Sequence, residues 1–563
     1  MSDPNPRPGD SAGTRFVTNC KHREVNDRDP ALAAIPRVPV DEKTQQRFDE
    51  GLAFEAGVFE ELCRIHRVPN LRDADDTESA TLAAMSRGDR IIISPSLPTT
   101  NHRSGRPDVL VRHGDEPMPN GKWGYLPVDV KNSKPLEGLA KARTLQVSTL
   151  ERPWLGDSSG AEIGKGGPKE DHSLELAHYW IMLVDLGHAP PIAPVGGTIN
   201  PGLGVVWRDL DDPKKSFLAM ARGEWSARWL AINTMRDGGE PLTRSFIHDK
   251  CNTCHWRDHC EDIVMEEQHV SLLPGVGEAM VHDLASVGIH LAPQLAACDP
   301  DADDLHGLKM SSRIKGAIDA ARVLLSGSSI PFMVRGGSPV SVPRADVEID
   351  FDIENDDIVY LYGCRLSHRT GPDSWSDGEF RPIHSFDRSD PDTEARLLVT
   401  FWNWLHEIVD ATLSSGKSIA VFCYSGDKAE IPGMRGASRR NPSFPGMPTP
   451  EMIAALARQE WWVDINKITD QYLWPTRGRG LKYLARLAGF DWDAEDAGGV
   501  NSMLWYRAAS DPGHPDRDAL AAKLLRYNAD DVMATKVLRH WLNDGVAGRG
   551  WSIQPVESLD ARY

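Results

Sequence analysis

Two aspartates and a lysine are the first residues in this chain whose types and spacing indicate chemistry. Asp108 lies in the run Gly-Arg-Pro-Asp-Val-Leu-Val-Arg, and Asp129 and Lys131 stand at the end of a later apolar run. Because residues i and i+2 of a strand face the same side, Asp129 and Lys131 point into one pocket. Two carboxylates can hold a hard cation such as Mg²⁺, which polarises a phosphate and lowers the pKa of an attacking water. Lys131 can orient that water or offset charge on phosphorus.

The triplet Asp-x-Lys is common, so a surface aspartate pair beside a snorkelling lysine is the alternative. A second carboxylate set lies far downstream. Asp352 and Glu354 alternate along an apolar run, and a strand there presents both on one face, as a two-metal site requires. Tyr527 and Asp531 are four residues apart in a strongly helical stretch and share one helix face. In this order, the two patterns predict a second phosphodiesterase site.

Three clustered cysteines indicate a metal site. Cys251, Cys254 and Cys260 have a spacing in which the first two bind through a turn and the third closes from the next turn. Four soft ligands are the usual complement of zinc or of an iron–sulfur cluster. His255 would be the fourth ligand of a zinc site. The residues by themselves leave zinc and iron–sulfur both open.

Composition narrows the class of protein. The chain has 563 residues, which at roughly 150 residues per domain predicts three or four domains. No apolar run approaches the ~20 residues of a membrane span, and the N-terminus lacks the apolar core of a secretory signal. Few cysteines indicate the reducing cytoplasm. The net charge of −19 argues against a broad basic surface, but not against a nuclease, because metal-binding carboxylates are themselves acidic.

The hydrophobic pattern predicts an α/β protein with two mixed domains. Helices are predicted at 43–66, 136–147, 172–187, 215–235, 391–413 and 517–543. Strands are predicted at 91–93, 108–111, 125–131, 347–353, 358–361 and 418–424. The stretches 152–168 and 188–204, rich in proline and glycine, are predicted to be exposed loops.

The first carboxylate set resembles the RecB-like branch of the PD-(D/E)xK nucleases. Asp108 matches the second motif of that family, and Asp129 with Lys131 matches the third. The resemblance assigns Glu55 as the acid of the first motif, preceded by Phe54 where this branch often has histidine. Its fourth motif, Gln-x-x-x-Tyr, corresponds to Glu175 and Tyr179. Residues i and i+4 share a helix face, so both would line the groove; a core position is the alternative for Tyr179.

Iron–sulfur members of this branch, of the AddB type, take one cysteine from before the nuclease core and three from after it. Cys20 stands where the first cysteine belongs, and the trailing spacing matches Cys251, Cys254 and Cys260. The resemblance therefore implies a [4Fe–4S] cluster on these four residues. An incidental Cys20 with zinc on the other three is the alternative.

The downstream set resembles the DnaQ-like (DEDD) exonucleases of the ribonuclease H-like fold, in their YprB-type branch. The resemblance assigns Asp352, Glu354 and Asp531 as metal ligands and Tyr527 as the residue that orients water. The second motif of this branch normally ends in aspartate; here Glu430 stands in that place, with Asp427 as an alternative. Asp464 follows an apolar strand, where an end cap is favoured over a supporting acid.

Between the two sets, residues 271–298 resemble a helix-hairpin-helix element, in which the turn at Gly275 and Gly277 would expose backbone N–H groups to a phosphate. A spacer is the alternative. The predicted domains are a disordered lead (1–14), a RecB-like nuclease domain with the cysteine cluster (15–265), a helix-hairpin-helix-like unit (266–330), a ribonuclease H-like DEDD exonuclease domain (340–545) and a C-terminal tail (546–563).

Together these patterns predict a DNA nuclease with Mg²⁺ or Mn²⁺ at both sites, an exonuclease with single-strand preference acting in repair, recombination or defence. An RNA-processing nuclease is one alternative, and a catalytically silent platform for a helicase or repair complex is another. No phosphate-binding loop of the G-x-x-x-x-G-K-[ST] type occurs, so a helicase partner would be a separate protein.

Overall fold

The computed structural model describes residues 3–299, 305, 307–338, 340–474, 480–492, 499–543 and 553–563. The chain divides into two compact units, Met1–Glu266 and Glu267–Tyr563. Each unit combines helices with a β-sheet, which confirms the predicted α/β class. None of the described helices is long and apolar enough to cross a bilayer. Residues 546–552 of the predicted tail lie outside the described residues.

The strands of the first unit are β1 (Ile91–Ile93), β2 (Leu97–Thr100), β3 (Arg103–Gly105), β4 (Val109–His113), β5 (Gly124–Val130), β6 (Leu136–Ser148), β7 (Ser159–Pro168), β8 (Val195–Ile199), β9 (Val205–Asp209), β10 (Asp211–Asp212) and β11 (Lys215–Ser216). Its α-helices are α1 (Arg15–Thr18), α2 (Lys21–Asn26), α3 (Glu42–His66), α4 (Thr77–Arg87), α5 (Glu170–Asp185), α6 (Phe217–Arg236) and α7 (Arg257–Glu267). Single 3₁₀ turns lie at Pro30–Leu32, Leu71–Asp73, Leu155–Asp157 and Asp249–Thr253.

Seven of these strands form one sheet in the order β1-β4-β5-β8-β9-β6-β7. The central strand β5 is buried along its whole length, and α5, which contributes Trp180 to the same apolar core, packs against it. Strand β5 pairs antiparallel with β4 and parallel with β8. This pairing places the start of β4, preceded by Asp108, beside the end of β5, which carries Asp129.

Three predictions for this unit are wrong. The predicted helix 136–147 is strand β6, and the predicted loop 152–168 contains strand β7. Both segments become extended because β6 pairs with β7 on one side and with β9 on the other, and β9 is distant in sequence. The loop predicted at 188–204 likewise contains β8, where Gly197 serves close packing: a Cβ there would lie 2.5 Å from Val205 Cγ1.

The predicted disordered lead also differs from the structure in residues 3–14. Asp10 forms an ion pair with Arg236, at 2.7 Å between Oδ2 and Nη1, and Asn233 donates to two carbonyl groups of the lead. Ala12 forms a backbone bridge to Arg103. Polar contacts with α6 and β3 therefore order a segment whose composition is typical of disorder.

The strands of the second unit are β12 (Phe332–Met333), β13 (Val347–Asn355), β14 (Val359–Gly371), β15 (Ser374–Trp375), β16 (Glu379–His384), β17 (Ile419–Cys423), β18 (Trp462–Asp464) and β19 (Leu473–Trp474). Its α-helices are α8 (Glu278–Ala285), α9 (Ala292–Ala296), α10 (Ser311–Leu325), α11 (Thr393–Ser414), α12 (Glu430–Arg440), α13 (Pro450–Leu456), α14 (Ile465–Tyr472), α15 (Leu481–Leu487), α16 (Gly499–Ser510) and α17 (Arg517–Asn543). Short 3₁₀ helices lie at Val270–Leu272 and Val556–Arg562.

The main sheet of this unit has the order β15-β14-β13-β17-β18, with β16 also paired to β14. Strand β13 runs antiparallel to β14 and parallel to β17. One face of β13 is apolar: Ile349 and Phe351 lie in the main core, where Phe351 stacks on Phe401 of α11. The opposite face of β13 carries carboxylates and meets α17.

Candidate metal centres

In the second unit, three carboxylates come together from distant parts of the chain. Asp352 and Glu354 lie on β13, and Asp531 lies on α17. One carboxylate oxygen of each residue lies within 4.8 Å of one oxygen of each of the other two. No other group of three or more acids, histidines or cysteines among the described residues is as close together. Such spacing is what oxygen ligands of one divalent cation require.

Polar side chains around this group fix its geometry. Asn528 donates from Nδ2 to Asp352 Oδ2 at 2.8 Å, and Trp492 donates from Nε1 to Asp531 Oδ1 at 2.7 Å. The Tyr527 hydroxyl also hydrogen-bonds to Asp531. Two aromatic donors therefore hold the Asp531 carboxylate close to the other two carboxylates.

Glu430 also faces this group. It begins α12, is 2% exposed, acts electrostatically on Asp352, and has one buried oxygen, Oε2, without a hydrogen-bond partner. Its alternative, Asp427, is exposed and forms an ion pair with Lys467 at 2.6 Å. Asp464 caps α14 by accepting from the Asn466 N–H at 3.0 Å, as the favoured interpretation of that residue predicted.

Burial and mutual repulsion oppose the ionisation of the carboxyl groups in this acidic group. Burial, and then the proximity of Glu354 and Asp531, raise the pKa of Asp352 well above its usual range. Burial raises the pKa of Glu354 to about 8, of Glu430 to about 7 and of Asp531 to about 6. An orphaned buried oxygen and several carboxylates that resist ionisation together fit a site for divalent metal.

In the first unit, Asp108, Asp129, Lys131 and Glu175 meet at the end of β5. Lys131 Nζ lies 3.2 Å from Asp129 Oδ2 and 2.6 Å from Glu175 Oε2, and Asp108 Oδ2 accepts from the Val130 N–H at 2.7 Å. Burial alone would lower the pKa of Lys131, but Asp129 and Glu175 raise it above its ordinary value. Burial and then Asp129 raise the pKa of Asp108 well above its usual range.

The other residues predicted for this site lie around it. Glu55 acts electrostatically on Asp108, but its carboxylate forms an ion pair with Arg72. Phe54, in the place of the histidine, packs against the apolar core. Tyr179 is buried, and its hydroxyl donates to the Arg106 carbonyl at 2.9 Å, so it fixes the segment that leads into Asp108.

All four predicted cluster cysteines, Cys20, Cys251, Cys254 and Cys260, line one cavity. No three of their sulfur atoms lie within 4.8 Å of one another. Tetrahedral zinc, with Zn–S bonds of ≈ 2.3 Å, would hold sulfurs about 3.8 Å apart. His255, the fourth ligand of a zinc site, instead pairs with Asp27, at 2.7 Å from Nε2 to Oδ1. The four sulfur atoms therefore do not form the compact set that a single tetrahedral zinc ion requires.

Sequence patterns did not identify Trp492, Asn528 or Gly363. Trp492 lies in a Phe-Asp-Trp-Asp run without a motif, whereas Asn528 lies inside the Tyr-Asn-Ala-Asp-Asp motif and was identifiable by its helix face. Gly363 is opposite Asp352 in the β13–β14 register, and a Cβ there would lie 1.6 Å from Asn528 Oδ1. The glycine therefore admits the Asn528 side chain beside the carboxylates.

A family model of the RNase_H superfamily matches residues 351–543. These residues therefore form a ribonuclease H-like domain, a fold of metal-dependent, nuclease-type phosphodiester hydrolases, which confirms that part of the sequence prediction. Among solved structures, the family B DNA polymerase of the hyperthermophilic archaeon Pyrobaculum calidifontis is similar, at 16% identity and a TM-score of 0.26. The alignment covers 39% of this chain and 28% of the polymerase. A search of curated proteins finds no match.

The raised pKa values predict how the stability of the metal-free protein depends on pH. Acids whose folded-state pKa is raised stabilise the fold below their ordinary pKa near 4, and this contribution is lost as the pH rises through about 6 to 8. We expect Mg²⁺ to raise the unfolding temperature more at pH 8.5 than at pH 5, measured by calorimetry against EDTA. The Glu354→Gln/Asp531→Asn variant should lose most of this difference. An equal Mg²⁺ effect at both pH values would contradict the prediction.

Substitution of Gly363 tests the close approach of α17 to β13. Gly363→Ala should destabilise the protein by about 1–3 kcal/mol, because the new methyl group collides with Asn528. In an Asn528→Ala background the same substitution should cost clearly less, as a double-mutant cycle in urea would show. Gly223→Ala is the control: this exposed glycine of α6 has open space around its Cβ position and should gain stability. If the effects of Gly363→Ala and Asn528→Ala on stability were additive, the steric account would be refuted.

Proposed function

We propose that this chain is a metal-dependent DNA nuclease that hydrolyses phosphodiester bonds at the acidic group of its ribonuclease H-like domain. The observation that carries the proposal is the convergence of Asp352, Glu354 and Asp531 within 4.8 Å, inside the stretch that matches the RNase_H superfamily. Burying several carboxylates together is costly unless they are protonated, hydrogen-bonded or offset by a cation, and a bound divalent cation would remove most of this cost.

Mg²⁺ or Mn²⁺, when bound, would polarise the scissile phosphate and lower the pKa of an attacking water. Asp352, Glu354 and Asp531 would hold the metal, and Glu430, which is buried and acts electrostatically on Asp352, would assist them. Trp492 and Tyr527 keep the Asp531 carboxylate oriented. Burial of the carboxylates excludes water from the site, so the attraction between the bound metal and the phosphate would be only weakly screened.

The first unit is proposed to contribute a second, RecB-like site with Glu55, Asp108 and Asp129 as acids, assisted by Lys131. What supports this is that Asp108 and Asp129 interact across β4 and β5 with Lys131 between Asp129 and Glu175. A specific observation favours a second candidate, in which this unit binds nucleic acid without cutting it: Glu55 is paired with Arg72.

Exonuclease action on single strands, in repair, recombination or defence, completes the proposal, with RNA as the alternative substrate.

A [4Fe–4S] cluster on Cys20, Cys251, Cys254 and Cys260 is part of the same proposal. The shared cavity and the wide spacing of the sulfur atoms support a cluster over a single zinc ion. The cluster would join the segment before the sheet to the segment after α6. Because Cys20 and Cys251 are separated by most of the first unit, such a link would restrict its unfolded chain strongly.

Nuclease assays with single substitutions test the catalytic proposal. In an Asp129→Ala background, which removes a ligand of the other candidate site, Asp531→Ala and Glu430→Ala should each lower metal-dependent cleavage by at least about 10-fold, a lower limit set by the effect of residues that merely support metal ligands. Asp427→Ala, which removes an exposed acid three residues from Glu430, should keep wild-type activity. Cleavage of matched single-stranded and duplex DNA and RNA oligonucleotides, with Mg²⁺, Mn²⁺ or EDTA, provides the measurement.

Activity that remains in Asp531→Ala belongs to the first unit if adding Asp129→Ala abolishes it. Full wild-type activity of Asp531→Ala, of Asp129→Ala and of the double variant that combines them, on every substrate, would refute the nuclease assignment. Cleavage of RNA alone would assign the RNA alternative. Metal-independent binding of forked DNA without turnover would assign the silent platform.

Anaerobic purification tests the cluster. The protein should be brown, with broad visible absorbance and about four iron atoms per chain. Cys20→Ala should lose most of the iron, whereas Cys63→Ala, a cysteine of α3 outside the cavity, should retain it. A colourless wild-type protein with about one zinc atom per chain would identify the zinc alternative.

A further inference from the structure

The acidic face of β13 continues beyond the candidate metal site. Glu348, Asp350, Asp352 and Glu354 occupy alternate positions of this strand and therefore lie on one face. All four meet side chains of α17 or its surroundings, while the alternate apolar residues pack in the core. One strand face thus presents four carboxylates in a row to a single helix.

The two halves of this row are compensated differently. Glu348 and Asp350 share Arg539, whose Nη1 lies 2.6 Å from Glu348 Oε2 and whose Nε and Nη2 lie 2.7 and 2.9 Å from the two oxygens of Asp350. All three side chains are completely buried. The other half, Asp352 and Glu354, receives from α17 a neutral amide and a third carboxylate, Asp531. A buried arginine compensates the acids at one end of the row, and the proposed metal would lie at the other end.

Spacing along the helix matches spacing along the strand. Asp531 and Arg539 are eight residues apart, which is about 12 Å along an α-helix. The centre of the Glu348–Asp350 pair and the centre of the Asp352–Glu354 pair are four residues apart, which is about 13 Å along a strand. Arg539 meets the earlier pair and Asp531 the later pair, so α17 runs antiparallel to β13. A slip of one helical turn, about 5.4 Å, would carry Asp531 away from its partners.

The bidentate fork of Arg539 is suited to fixing such a register. A planar guanidinium with several donors has one favourable position between two carboxylates, whereas an apolar contact tolerates sliding. Replacing a buried ion pair by packed apolar residues is often neutral or stabilising, so stability alone does not account for three buried charges. Lys536 lies in the same helix turn and donates from Nζ to the Ser376 and Asp377 carbonyls, at 2.6 and 2.8 Å. This second contact links α17 to the segment between β15 and β16.

We infer that Arg539 is a positioning residue: through Glu348 and Asp350 it sets the register of α17 on β13 and so places Asp531 at the metal site of Asp352 and Glu354. The inference rests on the proposed function of that site. Arg539, Glu348 and Asp350 contact neither metal nor substrate in this arrangement. Their effect is on metal affinity, through the position of one ligand.

The test measures Mn²⁺ binding by calorimetry in an Asp129→Ala background, which removes a ligand of the other candidate site. Arg539→Met alone would leave two uncompensated buried carboxylates, so we use the apolar triple variant Glu348→Leu/Asp350→Val/Arg539→Met. It should unfold at the wild-type temperature or above and bind Mn²⁺ at least about 10-fold more weakly. Arg539→Lys, which keeps the charge but not the fork, should show an intermediate loss.

Arg526→Met, an exposed arginine of the same helix, is the matched control and should leave Mn²⁺ affinity unchanged. Wild-type Mn²⁺ affinity in a folded triple variant would overturn the inference while leaving the proposed function intact. If the triple variant does not fold, Arg539→Lys decides: unchanged affinity in that variant overturns the inference equally. Failure of the wild-type second unit to bind Mn²⁺ would be a failure of the proposed function itself.

Discussion

Enclosure of like charges is the constraint on which the second unit depends. A strand that is apolar on one face and acidic on the other can pack only if its carboxylates are neutralised or hydrogen-bonded. Along β13 this is achieved by a guanidinium at Glu348 and Asp350, and by an amide and an indole near Asp352 and Asp531. Where these donors are too few, the pKa values of the carboxyl groups remain raised, and a divalent metal would offset the charge of the ionised form.

The first unit meets the same constraint in another way. Lys131 stands between Asp129 and Glu175 and supplies a positive charge from within the site. Glu55 is paired with Arg72 rather than with the other acids. The two acidic centres differ in what contacts their acids: Lys131 lies between two acids of the first unit, whereas an amide, an indole and a phenol donate to acids of the second.

Small residues determine how closely the elements can approach. Gly363 leaves room for Asn528 between β14 and α17, and Gly197 lets β8 pack beside Val205 in the other sheet. At both places a methyl group would collide with a neighbouring side chain. Glycine here has a packing role, which explains why a glycine-rich stretch predicted as a loop is a buried strand.

Local periodicity in the sequence determined much of this protein. The alternation around Asp352 and Glu354, the helix carrying Tyr527 and Asp531, and the span of α3 follow from near neighbours, so their prediction agrees with the structure. Tertiary structure decided what depends on distant partners. Strands β6 and β7 are extended because of sheet pairing, which overrides the helical pattern predicted at 136–147 and the loop predicted at 152–168.

The same division holds within the site. Sequence spacing gave the acids as candidates and left Glu430 and Asp427 as alternatives. In the structure Glu430 is buried and acts electrostatically on Asp352, whereas Asp427 is exposed. Trp492 and Arg539 reach the acidic face through contacts that no local pattern encodes. A carboxylate's neighbours in space decide its charge and orientation, and those neighbours are fixed only when the chain has folded.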